Sequence, residues 1–197
     1  MKIPMSRNEF FAISFDTSIL NDLTQYSNLP EVNVINPIDF LNQSKVDNSK
    51  YFINLVTQDF DLRKQISHHM DTVKCKRFSI IHHQSYVEGS EIGDGSFIYP
   101  NVTAYPKSKI GKDVIIQSNS RISHNATIDD GCFIGGLTNI SGSVTVGSFC
   151  KIFPCCNIVD KVNIVDDVTL GTRSTIRKNI TESGTYSELP NKVKKIR

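Results

Sequence analysis

VIIQSNSRISHNATI, residues 114–128, repeats an apolar residue every six positions: Ile116, Ile122 and Ile128. Stepping by six in both directions reaches Ile92, Ile98, Ala104 and Ile110 on one side. On the other it reaches Ile134, Ile140, Val146, Ile152, Ile158, Ile164, Leu170 and Ile176. With 39% hydrophobic residues in the chain, one register fills fifteen such positions by chance about once in a million trials, so the pattern is a structural repeat. Two positions before each apolar residue stands a small or β-branched one, among them Ser96, Val102, Ser108, Ser120, Ala126, Cys132, Thr138, Cys150 and Cys156.

The period decides the fold. In an α-helix, residues six apart point about 240° apart and gather on no common face. In a triangular β-solenoid each six-residue unit makes one short strand and one corner. Three units close a coil of 18, and coils stack at about 4.8 Å. Ile92 to Ile176 therefore predicts about five coils, with the isoleucines stacked inside and small residues where the bend leaves little room. Cys132, Cys150 and Cys156 fall in that small set and read as core fillers.

The first 88 residues follow another pattern. All 11 glycines lie at or after Gly89. The runs FFAISF (10–15), VNVIN (32–36), YFINLV (51–56) and RFSII (77–81) read as strands. Thr17 or Ser18 would cap a helix with Ile19, Leu20, Leu23 and Tyr26 on its apolar face. Asp59 or Asp61 would cap a second, carrying Leu62, Ile66 and Met70. Alternating strands and helices predict a small parallel α/β domain over 1–85, a solenoid over 86–180 and a tail over 181–197.

Composition narrows the function classes. The net charge is +2 and the only basic cluster is the terminal KVKKIR, against a nucleic-acid binder. No apolar run approaches the ~18 residues of a membrane span, and the opening MKIPMSRNEFFAIS reads as no signal peptide. Five cysteines without CxxC spacing argue against a disulfide framework or zinc ribbon and favour a reducing, cytoplasmic setting.

The repeat also organises the candidate chemistry. Residues 18 apart share a corner, so one column reads Glu88, Pro106, His124, Gly142, Asp160, Lys178. A histidine beneath a glycine suits acyl transfer from a thioester. An imidazole titrates near neutral pH and can take a proton from an attacking amine or hydroxyl. The backbone N–H of a glycine, which a substrate can approach closely, would stabilise the oxyanion of the tetrahedral intermediate. His68 and His69, in the second helix, and His82 and His83, at the domain junction, read as structural. Asp129, Asp130, Asp166 and Asp167 read as solvated turns. A zinc hydratase needs three histidines, and the repeat holds one.

IGDGSF, IGKDVI and VGSFCK resemble the hexapeptide-repeat acyltransferases. VIIQSNSRISHNATI, SGSV, LGTRSTIRKN and GTYSELPNKVKK look like the sialic-acid O-acetyltransferase and bacillosamine N-acetyltransferase family. YFINLVTQDFDLRKQI resembles the end of that family's first domain. The resemblance implies a Rossmann-like domain that binds a nucleotide-linked sugar, joined to a left-handed parallel β-helix that trimerises. It implies acetyl-CoA lying between neighbouring β-helices, with His124 as general base and the Gly142 amide on the thioester oxygen. Such enzymes serve polysaccharide biosynthesis. Thr172, Arg173, Lys178, Pro190, Lys192 and Lys195 are the expected coenzyme contacts, and no metal is implied.

Three positions depart from the family. Asn125 stands where an acid usually follows the histidine, which favours an already nucleophilic amine over a hydroxyl. Phe133 replaces a second histidine. SFDTSIL (14–20) replaces the glycine-rich turn that helps bind the sugar nucleotide, leaving Thr17 and Ser18 as anion-binding candidates at a helix start. An O-acetyltransferase and a non-catalytic β-helical binding protein are the alternatives.

Overall fold

The computed structural model describes residues 10–15, 32–57 and 59–187. The expected helix around Thr17 and Ser18 and the segment from Glu188 onward, with Pro190, Lys192 and Lys195, lie outside them. Four parallel strands form the first sheet: β1 (Phe10–Ile13), β2 (Val32–Ile35), β3 (Tyr51–Asn54) and β4 (Lys76–Arg77), in the order β2-β1-β3-β4. A short helix that the sequence reading did not anticipate, α1 (Pro37–Leu41), follows β2. The Asn36 side chain caps it by accepting from the Ile38 N–H, and Pro37 opens its first turn. α2 (Phe60–Thr72) is capped by Asp59, which accepts from the Leu62 N–H at 2.9 Å. Its Leu62, Ile66 and Met70 are buried against Ile13, Phe40 and Phe52, as their spacing of four predicts. The arrangement is Rossmann-like.

Beyond it rises a left-handed parallel β-helix. Each of the fifteen six-residue units from Ile92 to Ile176 forms a strand. The strands stack into three parallel sheets, each residue pairing with the one 18 further on, as in Ile116↔Ile134↔Ile152 and Ile122↔Ile140↔Ile158. Inside, the stacked Ile, Val and Leu form one continuous core. The small inward positions do more than fill space. Ser96 Oγ donates to the Gly111 carbonyl at 2.9 Å, and Ser120 Oγ to that of Gly135 at 3.1 Å. Cys132, Cys150 and Cys156 donate in the same way to the carbonyls of Gly147, Val165 and Gly171. Serine and cysteine serve alike here because each carries a short donor that reaches a turn carbonyl of the stack.

The register changes at both ends. Ile80–Ile81 pairs with Phe97–Ile98 at a spacing of 17. The pairs Ile164↔Ile180 and Val168↔Gly184 are spaced by 16, so the turn after Ile176 is two residues shorter than the rest.

One face of the β-helix is apolar outside as well as inside. Its outward Phe97, Ile115 and Phe133 recur every 18 residues and pack against Phe10, Ala12, Val32, Ile53, Leu55 and Phe78 of the α/β unit. Arg63 on α2 is fully buried at this junction. Its guanidinium donates to the carbonyls of Asn54 (2.9 Å), Val56 (3.1 Å), Gly131 (3.2 Å) and Asp113. Burial lowers its pKa to about 10, partly offset by the Asp113 charge. The buried Asp113 carboxylate accepts from Arg77 Nε at 2.9 Å and from the Ser67 hydroxyl. Phe133, at the family's histidine position, thus belongs to this junction, with its ring edge-on to Phe60.

Candidate active site

The six-residue corners of the β-helix from Gly89 to Arg173 each turn through a residue with positive φ. Asn101, Lys107, Asp113, Asn119, Asn125, Leu137, Ser143, Phe149, Cys155, Lys161, Asp167 and Arg173 all do so, in step with Gly89, Gly95 and Gly131. Asn125, at φ 56°, is one of this series. Asparagine tolerates the left-handed region better than most residues, so its place beside His124 has a backbone reason independent of any chemistry.

His124 precedes it, exposed, on the corner between the second face (Arg121–Ile122) and the third (Thr127–Ile128). The ring packs against Gly142 of the next coil. A Cβ at Gly142 would fall 2.8 Å from His124 Cε1 and 3.0 Å from Nε2. Glycine is required here because the imidazole occupies the space of a side chain. The register that stacks them is set by Ile122↔Ile140 on one side and Ile128↔Val146 on the other.

The Asn125 amide reaches the other ring nitrogen, with Nδ2 2.9 Å from His124 Nδ1. In this orientation the amide donates to Nδ1, and a neutral ring carries its proton on Nε2. Turned by 180°, the amide would accept from Nδ1–H through Oδ1 and leave Nε2 with a free lone pair. Asparagine can hold either tautomer; an aspartate would hold only the second.

The Gly142 N–H does not stand empty. It donates to Asp160 Oδ1 at 2.9 Å, from the same corner one coil further on. Two of the four aspartates expected to be solvated do the same: Lys112 N–H donates to Asp130 Oδ1 at 2.7 Å, and Ser148 N–H to Asp166 Oδ1 at 2.8 Å, while Asp167 pairs with Lys64 Nζ at 2.7 Å. The carboxylates of Asp130, Asp160 and Asp166 are caps on turn amides, a role the turn reading missed although all three lie 18 residues from their partners. Burial raises the pKa of Asp129, with the charges of Asp166 and Asp130 adding to it.

Thr172 and Arg173 stand exposed on a different corner, between the first and second faces, in the column of Ser118, Gly136 and Pro154. Lys178 is exposed in the shortened turn after Ile176. His124, Asn125 and Gly142 thus come together, while these three coenzyme candidates do not join them within one chain. His68 packs edge-on to Phe149, His69 Nε2 lies 2.9 Å from the Gln43 carbonyl oxygen, and the His82 and His83 rings lie 4.3 Å apart. Among the described residues, no three His, Cys, Asp or Glu side chains are gathered to hold a metal ion. No helix among them is long and apolar enough to cross a membrane.

The geometry defines a hexapeptide-repeat β-helix with a histidine–glycine corner. Residues 89–124 and 107–142 match the family model described as bacterial transferase hexapeptide (six repeats). Among solved structures, the chain resembles a mutant of perosamine N-acetyltransferase from Caulobacter crescentus in complex with CoA and GDP-perosamine. The TM-score is 0.75 at 15% identity, over 98% of this chain and 100% of that one. It also resembles the acetyltransferase domain of PglB from Neisseria gonorrhoeae, with a TM-score of 0.77 at 18% identity over 92% and 97%. That domain is also known in complex with acetyl coenzyme A, and this form matches equally well over 93% and 97%. At these identities the likeness establishes the shared two-part fold.

Proposed function

We propose that the protein is an acetyl-CoA-dependent N-acetyltransferase acting on an amino sugar, carried as a nucleotide-linked sugar. The observation that carries this reading is the packing of the exposed His124 ring on Gly142, which sets a proton acceptor beside a backbone donor. The similar proteins whose complexes contain CoA with GDP-perosamine, or acetyl coenzyme A, support the donor and the class of acceptor.

In the reaction, the acceptor amine attacks the thioester carbonyl carbon. His124 Nε2 takes the amine proton while Asn125 Oδ1 holds Nδ1–H. The carbonyl oxygen gains negative charge and accepts from the Gly142 N–H. Collapse of the intermediate breaks the C–S bond. The thiolate leaves and takes the proton from the imidazolium, giving CoA and the N-acetyl sugar.

An exposed corner has no walls, and a second subunit would provide them. The His124 corner and the Thr172–Arg173 corner flank the same polar face, whose outward residues are Thr103, Arg121, Asn139, Asn157 and Thr175. Side-by-side packing through that face would set one chain's His124 corner beside the neighbour's corner that carries Thr172 and Arg173, which lie about 13 Å further along the stack, so that the coenzyme would run along the cleft between them; the assembly we propose is a cytoplasmic homotrimer with sites between subunits. Lys178, with Pro190 and Lys192 of the C-terminal segment, would join the coenzyme contacts, and Thr17 and Ser18 would meet the sugar nucleotide.

Labelled acetyl-CoA and a panel of nucleotide-linked amino sugars test the proposal. Wild type should transfer label, and His124→Ala should lower kcat by about 10²–10⁴ while still binding the coenzyme. Equal turnover by the two proteins with the acceptor that reacts best would overturn it.

A further inference from the structure

The donor assigned to the acyl oxygen is already engaged. The buried Gly142 contributes its N–H to Asp160 Oδ1, although Asp160 itself lies exposed. A turn amide facing away from the ladders needs an acceptor, and a carboxylate from the next coil is the acceptor used at three places in this β-helix. The three are not held alike. Asp130 is also within 3.7 Å of Lys112 Nζ, whereas neither Asp160 nor Asp166 has an ion pair among the described residues. Asp160 is the one of the three that caps an amide packed against His124.

We propose that Asp160 is a positioning residue that occupies the acyl-oxygen subsite of the empty site, its carboxylate being exchanged for the thioester oxygen when an acyl donor binds. This rests on the acyltransferase reading of the His124 corner. The contact keeps the Gly142 N–H aimed into the site while no donor is bound. It also makes a demand that coenzyme A without an acyl group does not meet: only a ligand carrying an oxygen acceptor at that point replaces the carboxylate. The exchange is with an exposed side chain, so the opposition it offers is that of one net hydrogen bond, about threefold to tenfold in affinity.

Calorimetric titration of the full chain with acetyl-CoA and, separately, with CoA tests this on wild type, Asp160→Asn and Asp160→Ala. Thermal unfolding of each serves as a check on folding. Asp160→Ala should bind acetyl-CoA about threefold to tenfold more tightly with its affinity for CoA unchanged. Asp160→Asn should fall between, because its amide oxygen still accepts but without charge. An equal gain for CoA would mean that Asp160 merely repels the coenzyme phosphates, and unchanged acetyl-CoA affinity would mean that the contact is only a turn cap; either overturns the proposal. Failure of every protein to bind acetyl-CoA would instead remove the acyltransferase reading, and this proposal with it.

Discussion

The His124 imidazole and the backbone of Gly142 are in direct contact across two successive coils, with the ring filling the volume that a side chain at 142 would need. The contact exists because a uniform spacing of 18 stacks the two corners.

Gly142→Ala is therefore expected to act on activity and not on the fold. Gly142 has no positive φ, so alanine meets no backbone strain there, but its Cβ would fall 2.8 Å from Cε1 of His124. The ring must swing away from the corner. We expect kcat to fall about 100-fold, the scale for misplacing a reacting group by about 1 Å, with stability changed by less than about 1 kcal/mol. Steady-state kinetics beside thermal unfolding checks this. Loss of activity in proportion to loss of folded protein would contradict it.

Asn125→Asp should strengthen the base. Aspartate also tolerates the φ of 56°, and its carboxylate can only accept, so it fixes the proton on Nδ1 and stabilises the imidazolium. Since a nearby negative charge favours the charged ring, the acid limb of the pH–rate profile should move to higher pH. On the plateau, kcat should rise by about threefold to tenfold. A profile that does not move would show that Asn125 serves only the turn.

Arg63→Met should destabilise the junction between the α/β unit and the β-helix. The guanidinium satisfies carbonyls of Asn54, Val56, Gly131 and Asp113, and methionine leaves them buried without a donor. By analogy with broken buried ion pairs, the loss should be about 3–5 kcal/mol. Denaturant unfolding followed by two probes, one per part of the chain, should show the α/β unit losing structure first.

The β-helix and the His124–Gly142 stack were legible because a strict period converts directly into geometry: each residue's inward or outward direction and its neighbour one coil away follow from its number. The apolar outer face was legible too, in Phe97, Ile115 and Phe133 at intervals of 18, but it emerges only when outward positions are followed every third unit. The shortened turn after Ile176 was legible only as the end of the period: a step of six reaches Glu182, and only the paired coils show that Ile180, four residues on, continues the stack. α1 is too short for a periodic signal, although Asn36 and Pro37 mark its start.

What the sequence by itself determined is the repeat: three faces, the buried Ile, Val and Leu, and which residues share a corner. Tertiary structure decided what those residues do there. It bends the corner through a positive φ, which gives Asn125 a backbone role beside its contact with His124. It commits the Gly142 amide to Asp160, and it separates Thr172 and Arg173 from the histidine by a whole face. The reason is physical: periodicity specifies position along and around the stack, whereas the partner of a hydrogen bond depends on side-chain rotamers and turn dihedrals that appear only once the coils are closed.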